Sequence, residues 1–217
     1  GDFGNTGSVE LVSLNGSLTV NSQITSNESF ILTAKSGITI NNNIVADNDA
    51  NNAGGESVAI NADSDGDGTG TLTVKTAGKS INTNNNDMDI TAADLDMQND
   101  FAFTLGTGTL TVTESNDDGI GLGATTPASG LNISAGELVR VSAAEMELVT
   151  GGDIIVDNVT EASSDNITLI TLDNLGSTNF SNNASIFNSL TVEADDGIVV
   201  DVDITCGDGG SLSLDGD

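Results

Sequence analysis

Very short segments in which apolar and polar residues alternate recur along the whole chain, and none is long enough to bury itself. Phe30 to Ala46 contains three of them, separated by corners of Ser-Gly and Asn-Asn. In each segment, as in Ile38-Thr39-Ile40, one face is apolar and the other polar, which is typical of a β-strand. Similar triplets stand at Leu18-Thr19-Val20, Val58-Ala59-Ile60, Leu72-Thr73-Val74, Leu110-Thr111-Val112, Ile167-Thr168-Leu169, Leu190-Thr191-Val192 and Leu212-Ser213-Leu214. Each segment therefore needs a similar strand on either side of it to form a stable sheet.

The spacing of these triplets indicates a repeat of about one coil of a parallel β-helix. Their middle residues fall at positions 19, 39, 59, 73, 89, 111, 132, 155, 168, 191 and 213, in steps of 20 to 23 with shorter steps of 13 to 16. A recurrence near 20 residues, made of two or three strands and tight corners, is the length of one coil. The shorter steps are interpreted as triplets on different faces of one coil, which leaves the register of residues 70–100 open. Ala92 to Met97 and Ala143 to Val149 are long enough for a helical turn, but both alternate and lack caps, so strand is favoured.

The sequence therefore predicts an all-β chain, a parallel β-helix (β-solenoid) of about nine to eleven coils, as a single segment over residues 1–217. Ile, Leu and Val are expected to stack on like residues inside, and outward Thr to form broken rows. The strand Leu138-Val139-Arg140-Val141 is expected to pair with Ile154-Ile155-Val156, and residues 47–55 and 63–70 to be polar loops. The predicted coils are 9–27, 28–55, 56–86, 87–105, 106–130, 131–143, 145–165, 166–188 and 189–210.

The charge of the chain excludes several classes of partner. A formal charge of −29 comes from 33 acids against Lys35, Lys75, Lys79 and Arg140. Nucleic acid is excluded, since phosphate binding needs a basic surface, and no apolar run is long enough for membrane insertion. A chain so acidic repels itself and should be stabilised by cations or salt.

The corner-and-strand units, such as Ser36 to Ile44, resemble the repeats of filamentous-haemagglutinin-type adhesins, which are bacterial two-partner-secretion exoproteins and large autotransporters. The resemblance covers almost the whole chain, but it rests on a degenerate pattern and includes no secretion-domain signature. It implies a right-handed parallel β-helix, extracellular or on the bacterial cell surface, that serves as a stalk, filament or adhesive fibre. The expected partners are the chain itself, through further coils or end-to-end stacking, and a host or neighbouring cell surface. Because the chain opens and closes in mid-pattern, we expect it to be a piece of a longer protein.

One acidic loop carries a pattern that is typical of calcium ligation. Asp63, Asp65 and Asp67 alternate with Ser64 and with Gly66, and a Thr69 carbonyl follows as a further oxygen. Alternating acids with a bend-forming Gly resemble the opening of an EF-hand loop, but the twelfth position, which should be Glu, is Val74. Calcium binding by Asp63, Asp65, Asp67 and Thr69 and a merely solvated acidic loop both remain open. The acidic stretches 114–118 and 193–196 are predicted to be solvated corners.

Two other classes of function are weighed against a structural role. Ice binding would need regular ranks of outward Thr, and only Thr71-x-Thr73 and Thr109-x-Thr111-x-Thr113 come close. A polysaccharide-cleaving enzyme on a β-helix would use grouped carboxylates, which are plentiful here, but the chain has no His, Tyr or Trp to act as base or sugar platform. Few aromatic residues also fit a shaft better than a glycan-binding tip. The interpretation is therefore a non-enzymatic structural segment.

Overall fold

The computed structural model describes residues 3–4, 7–46, 58–124, 130–160, 164–172 and 176–216. This part of the chain is all-β, with strands of two to six residues and a single helix of four. Every strand pair in it is parallel. The prediction of an all-β chain built from short parallel strands is confirmed. The loop predicted at residues 47–55 lies outside the described residues.

The elements follow one another along the chain without long strands or hairpins. In order they are β1 (Phe3–Gly4), β2 (Val9–Ser13), β3 (Leu18–Val20), β4 (Ile24–Thr25), β5 (Phe30–Ala34), β6 (Ile38–Ile40), β7 (Ile44–Val45), β8 (Val58–Asn61), β9 (Thr71–Val74), β10 (Ser80–Asn82), β11 (Met88–Ala92), β12 (Asp94–Met97), β13 (Ala102–Thr104), β14 (Thr109–Glu114), β15 (Ile120–Gly123), β16 (Leu131–Ser134), α1 (Ala135–Leu138), β17 (Val141–Ser142), β18 (Glu145–Thr150), β19 (Ile154–Asp157), β20 (Asn166–Thr171), β21 (Thr178–Phe180), β22 (Ser185–Phe187), β23 (Leu190–Ala194), β24 (Ile198–Val200), β25 (Ile204–Cys206) and β26 (Leu212–Gly216).

These strands form five sheets, and the chain visits different sheets in turn before it returns to the first. The longest has nine strands in the order β2-β5-β8-β11-β14-β18-β20-β23-β26. The others are β1-β4-β7-β10-β13-β17, β12-β9-β6-β3, β16-β15-β19-β21-β24 and β22-β25. A strand therefore pairs with strands from an earlier and a later passage of the chain, never with its immediate neighbour in sequence, except where β16 follows β15.

The core consists of aliphatic rows that run from strand to strand. In the nine-stranded sheet, alternate residues point inward and their partners in register are again apolar. One row is Val9, Phe30, Val58, Met88, Leu110, Met146, Ile167, Leu190 and Leu212, and the other is Leu11, Leu32, Ile60, Ile90, Val112, Leu148, Leu169, Val192 and Leu214. The members between Phe30 and Val192 are almost fully buried. The predicted interior stacks of Ile, Leu and Val are confirmed in one row and in part in the other, where Phe30, Met88 and Met146 stand among them.

The corners between strands depend on residues that tolerate a left-handed backbone. Gly37 has φ +102°, and a Cβ there would lie 2.9 Å from the Thr71 carbonyl oxygen of the next passage. Asn84 and Asn85 have φ values of 51° and 74°. Asn is the non-glycine residue that adopts this region most readily, because its side chain hydrogen-bonds locally. Such corners let the chain leave one sheet and enter the next within a few residues.

The register of the uncertain stretch, residues 70–100, is now defined. Leu72 pairs with Ile38 and Leu95, in the four-stranded sheet. Met88 pairs with Val58 and Leu110, in the nine-stranded sheet. The triplets centred on 73 and 89 therefore belong to different sheets, as the short steps between them indicate.

Residues 131–143 do not form a coil of their own, which corrects the sequence analysis. The nine-stranded sheet passes from β14 directly to β18, where Leu110 pairs with Met146, 36 positions further on. The extra residues supply β16, which follows β15 in sequence but lies beside it on the side away from β19. There it approaches β12, and the Asn132 amide donates to Asp94 Oδ1 at 3.1 Å.

The expected strand from Leu138 to Val141 is also wrong. Leu138 ends α1, while Val141 begins β17 and pairs with Phe103; Ile154–Val156 instead pair with residues of β15 and β21. The reason is a capping box: the Ser134 side chain accepts from the Glu137 amide, and Glu137 accepts from the Ser134 amide. This reciprocal cap satisfies the first free amides of a helix and overrides the alternating pattern after it.

Candidate metal centre

The acidic loop predicted from sequence connects β8 to β9 and is held by its own backbone. The Gly66 amide donates to the Asp63 carbonyl at 3.1 Å, which closes a turn. Gly66 and Gly68 have φ values of +64° and +79°, where a side chain would be strained. At the start of the loop, the Ser64 amide donates to the Ala34 carbonyl of β5 at 3.0 Å. These contacts fix the direction in which the carboxylates point.

The loop brings Asp63, Asp65 and Asp67 together. One carboxylate oxygen from each lies within 4.8 Å of the other two. Asp63 is buried, with 2% of its surface exposed, whereas Asp65 and Asp67 are exposed. Among the described residues, this is the one group of three or more acidic or sulfur- or imidazole-bearing side chains with such spacing.

The two oxygens of Asp63 differ in their surroundings. Oδ2 accepts from the Gly68 amide at 3.0 Å and from the Ser115 hydroxyl at 2.6 Å. Oδ1 is buried and has no hydrogen-bond partner. A buried carboxylate oxygen without a partner is costly, and in folded proteins it usually marks a site for an ion or a water molecule.

The charges of the loop are only partly neutralised. Lys35 Nζ lies 3.1 Å from Asp65 Oδ2, so one of the three carboxylates has a cationic partner. Asp67 Oδ1 accepts from the Thr69 hydroxyl at 2.6 Å and from the Thr69 amide at 3.0 Å. The hydroxyl bond is the main reason that the pKa of Asp67 is lowered. The Asp63 side chain adds to the lowering of the Asp67 pKa, and the loop carries three acidic side chains against the single ammonium of Lys35.

Thr69, whose carbonyl the sequence suggests as a ligand, contacts the cluster through its two other polar groups. Its hydrogen bonds to the cluster run through its amide and hydroxyl, which both donate to Asp67, so Thr69 orients that carboxylate. Val74, at the twelfth position of an EF-hand pattern, is fully buried in β9. The strand that begins at Thr71 thus leaves no room for the EF-hand continuation, and the site is confined to the loop.

Two residues that sequence reasoning missed complete the surroundings of the loop. Ser115 and Asn116 follow β14, about 50 residues further along the chain. The Ser115 hydroxyl reaches Asp63, and a Cβ at Gly68 would collide with the Asn116 amide. Asn116 Oδ1 is a second buried oxygen without a partner. Only the alignment of β8, β11 and β14 in one sheet could have indicated this contact.

The other acidic stretches have different environments. Glu114 is buried, which corrects the prediction of a solvated corner for that residue, whereas Asp117 and Asp118 are exposed as predicted. Glu114 accepts from the Thr150 hydroxyl at 3.1 Å and from the Asn116 amide at 3.0 Å. Its position at the end of a strand, under the next corner, explains the burial. Glu193, by contrast, is exposed on β23.

Several corner acids accept from a backbone amide of another passage of the chain. These pairs are Asp87 with the Thr109 amide, Asp117 with the Gly151 amide, Asp153 with the Ser177 amide and Asp157 with the Asn183 amide, at 2.8 to 3.2 Å. A carboxylate accepts such bonds more strongly than a neutral group. At these positions, carboxylate oxygens thus take the place of backbone carbonyls as acceptors for amides of a neighbouring passage.

Outward threonines form short rows that acids interrupt. Thr19, Thr39 and Thr73 are in register, but the next position is Asp96. In the nine-stranded sheet Thr111 lies between Asp89 and Glu147, and its hydroxyl donates to Glu147 at 3.2 Å. The predicted broken rows are confirmed, and no regular rank of free hydroxyls forms along these positions.

Comparisons with known proteins give no assignment: no family model matches the chain, and neither the curated proteins nor the solved structures contain a match. In the described residues, no helix is long and apolar enough to cross a membrane. Function must therefore be argued from the fold and from the loop itself.

Proposed function

We propose that this chain is a stalk or filament segment, without enzymatic activity, of an extracellular bacterial surface protein. Its architecture is a right-handed parallel β-helix of about nine coils. The observation that carries the proposal is the pair of apolar rows that runs in register through all nine strands of the longest sheet. Such rows arise when each passage of the chain lies on the previous one.

Chain geometry supports the coiled path and its hand. The chain leaves the nine-stranded sheet after β2, passes through β3 and β4, and re-enters the same sheet at β5, parallel to β2. Crossovers between parallel strands of one sheet are right-handed in nearly all proteins. With about 4.8 Å between neighbouring strands, nine strands extend about 40 Å along the stacking direction. Each coil contacts only its neighbours, which suits a protein whose task is to span a distance.

The surface supports a structural role rather than recognition of a sugar. In the part of the chain that the structure describes, five phenylalanines are buried: Phe30, Phe101, Phe103, Phe180 and Phe187. The chain has no Trp, Tyr or His. Aromatic rings on the surface are the usual stacking platform for a planar or sugar ligand. Many outward positions instead carry short polar and acidic side chains, and the large exposed apolar residues, such as Leu14 and Val199, are aliphatic.

An extracellular location is proposed from composition and from the resemblance to adhesin repeats. The degenerate corner-and-strand unit carries that resemblance, and a single cysteine in 217 residues is common in proteins that bacteria export. The high negative charge favours a surrounding with abundant cations, because mutual repulsion is then screened.

The test separates a stalk from an adhesive or glycan-binding segment. The purified full chain, labelled at Cys206, is applied to a glycan array and to bacterial and host cells over a range of concentrations. We expect no saturable binding above that of an unrelated acidic protein. Saturable binding that a soluble glycan competes away would overturn the stalk and support the adhesive alternative.

A further inference from the structure

We propose that the loop of residues 63–70 holds one calcium ion, bound by the carboxylates of Asp63, Asp65 and Asp67, and that this ion fastens the loop to the corner at Ser115–Asn116. The inference does not depend on whether the chain is a stalk. Two observations carry it: the convergence of three carboxylates in one loop and, on one of them, a buried Asp63 oxygen that has no hydrogen-bond partner.

The spacing of the oxygens fits a single calcium ion. Calcium–oxygen bonds are about 2.3–2.6 Å, so two ligands on opposite sides of one ion lie about 5 Å apart and adjacent ligands lie closer. The three carboxylate oxygens fall within 4.8 Å of one another. Small movements of the exposed side chains of Asp65 and Asp67 complete the approach, since neither is locked in a core.

The two carboxylate oxygens of Asp63 have different roles: Oδ2 holds the side chain in place, and Oδ1 is the proposed ligand. Its Oδ2 is fully engaged by the Gly68 amide and the Ser115 hydroxyl, which hold the carboxylate in one orientation. Its Oδ1 is buried without any partner. A cation at Oδ1 would remove the desolvation penalty of that atom, whereas an empty site leaves the penalty in place.

The loop lies across a neighbouring corner and reaches the one beyond it. Between β11 and β12 only Ala93 intervenes, and its amide donates to the Gly70 carbonyl at 3.0 Å. The loop thus passes over this tight corner and contacts Ser115 and Asn116 after β14, two strands from β8 in the sheet. An ion in the loop would therefore tie together three successive passages of the chain.

The ligand chemistry favours calcium over other cations. All three groups are carboxylates, and no sulfur or imidazole contributes, which disfavours zinc and copper. Calcium accepts six to eight oxygens in flexible geometry, so a loop with exposed side chains and free access to water suits it. Magnesium demands a compact octahedron and retains its water more firmly. The Asn116 side chain lies beside Gly68 with its amide nitrogen nearest, and its Oδ1 is a buried, unpartnered amide oxygen of the kind that calcium also accepts.

Substitution of Lys35 should raise the calcium affinity, whereas loss of a carboxylate ligand should lower it. Its ammonium lies 3.1 Å from Asp65 Oδ2 and competes with an incoming cation for that carboxylate. If the loop binds calcium, Lys35→Gln should strengthen binding, because one positive charge is removed from the site. If the loop is only a structural ion pair, the same substitution should leave calcium affinity unchanged.

The experiment is calorimetric titration of the full chain with calcium chloride, and then with magnesium chloride, at constant ionic strength. We expect one saturable calcium site, weaker by about tenfold or more in Asp65→Asn and stronger by roughly threefold in Lys35→Gln. Asp65 is exposed, so its variant should fold, and Asp63→Asn is the second variant, which removes the charge of the buried carboxylate. Asp196→Asn, an exposed acid remote from the loop in sequence, is the matched control and should titrate as the wild type.

Three results would overturn the site. They are an absence of saturable binding, equal affinity for calcium and magnesium, and an equal loss of affinity in Asp65→Asn and Asp196→Asn. The last would mean that calcium merely screens the charge of the whole chain.

Discussion

Removal of the Glu137 carboxylate should loosen the chain where the inserted segment meets β12. Glu137 Oε1 accepts from the Met97 amide at 2.8 Å, and Arg140 donates to the Met97 carbonyl. Met97 is the last residue of β12, and its amide and carbonyl bond to the side chains of Glu137 and Arg140. These side chains thus replace the acceptor and the donor that a neighbouring strand would provide. Glu137 Oε2 also accepts from the Ser134 amide at 2.8 Å and from its hydroxyl. Glu137→Ala removes the three bonds that Glu137 accepts and leaves the Arg140 bond to the Met97 carbonyl.

The size of the effect follows from the bonds that are lost. Met97 is buried, and leaving its amide without a partner should cost about 1–3 kcal/mol. Loss of the Glu half of the capping box should add about 0.5–1 kcal/mol, because the Ser134 cap itself remains. The total of about 1.5–4 kcal/mol corresponds, for a chain of this length, to a fall in melting temperature of roughly 3–16 °C. Glu137→Gln, which keeps one acceptor oxygen, should lose about half as much.

The assay is urea denaturation followed by far-ultraviolet circular dichroism, since the chain has no Trp or Tyr for fluorescence. Glu193→Ala, which removes an exposed acid from β23, is the matched control and should stay within about 0.5 kcal/mol of the wild type. Hydrogen exchange supplies a local measure: the Met97 amide should be protected in the wild type and should exchange faster in Glu137→Ala. Equal stability of the two alanine variants, with Met97 exchange unchanged, would refute the strand-replacing role of Glu137.

Two further perturbations test the electrostatics and the coiled path. The pKa of Asp94 is raised, first by burial and further by Glu137 and Asp96, so its ionised form destabilises the fold at neutral pH. Asp94→Asn should therefore be more stable than the wild type at pH 7 in thermal melts. The gap should close as the pH falls through the raised pKa and then below the ordinary value of 3.8, where this position is uncharged in both chains, folded or unfolded; a gap that widens in acid contradicts this assignment. Residues 167–189 make up one period, from Ile167 to its partner Leu190, and a chain without them should still unfold cooperatively in circular dichroism. Deletion of residues 167–178 should abolish cooperative unfolding, because removal of half a period puts the following strands out of register. Loss of folding in both deletions would contradict the repeat.

The fold was largely predictable because its main signal is local. Alternation in segments such as Leu110-Thr111-Val112 identifies strands from a few residues, and the recurrence near 20 places them in register. The prediction failed in residues 131–143, where β16 was inserted beside β15 and the chain then formed α1. The alternating pattern does not reveal such an insertion, because Leu131 and Ile133 alternate with polar residues as in any other strand of this chain. The capping box at Ser134 and Glu137 was the signal for the helix, and it required attention to caps rather than to apolar spacing.

The candidate site was predictable only in part, for a related reason. Asp63, Asp65 and Asp67 stand close in sequence, so their meeting follows from a tight loop. Ser115 and Asn116 come from another passage of the chain, and their contact with the loop depends on how many strands lie between β8 and β14. Sequence could not decide that number, because the register of residues 70–100 was open. The burial of Asp63, which separates its two oxygens into one bonded and one free, is a consequence of that same packing.

The negative charge of the chain has two distinct consequences in this fold. At corners the ladder of strand hydrogen bonds is interrupted, and amides such as those of Thr109 and Ser177 are left without a strand partner. Asp87 and Asp153 accept from them, so these carboxylates stabilise neighbouring passages through charge-assisted bonds. The same solution cannot serve the loop of residues 63–70, where three carboxylates lie within 4.8 Å and one buried oxygen has no donor. There we propose that a calcium ion offsets the repulsion, because Lys35 forms an ion pair with Asp65 alone of the three acids. The chain thus uses single acids in place of strand contacts at corners, and it groups acids where the proposed ion would join neighbouring passages of the chain.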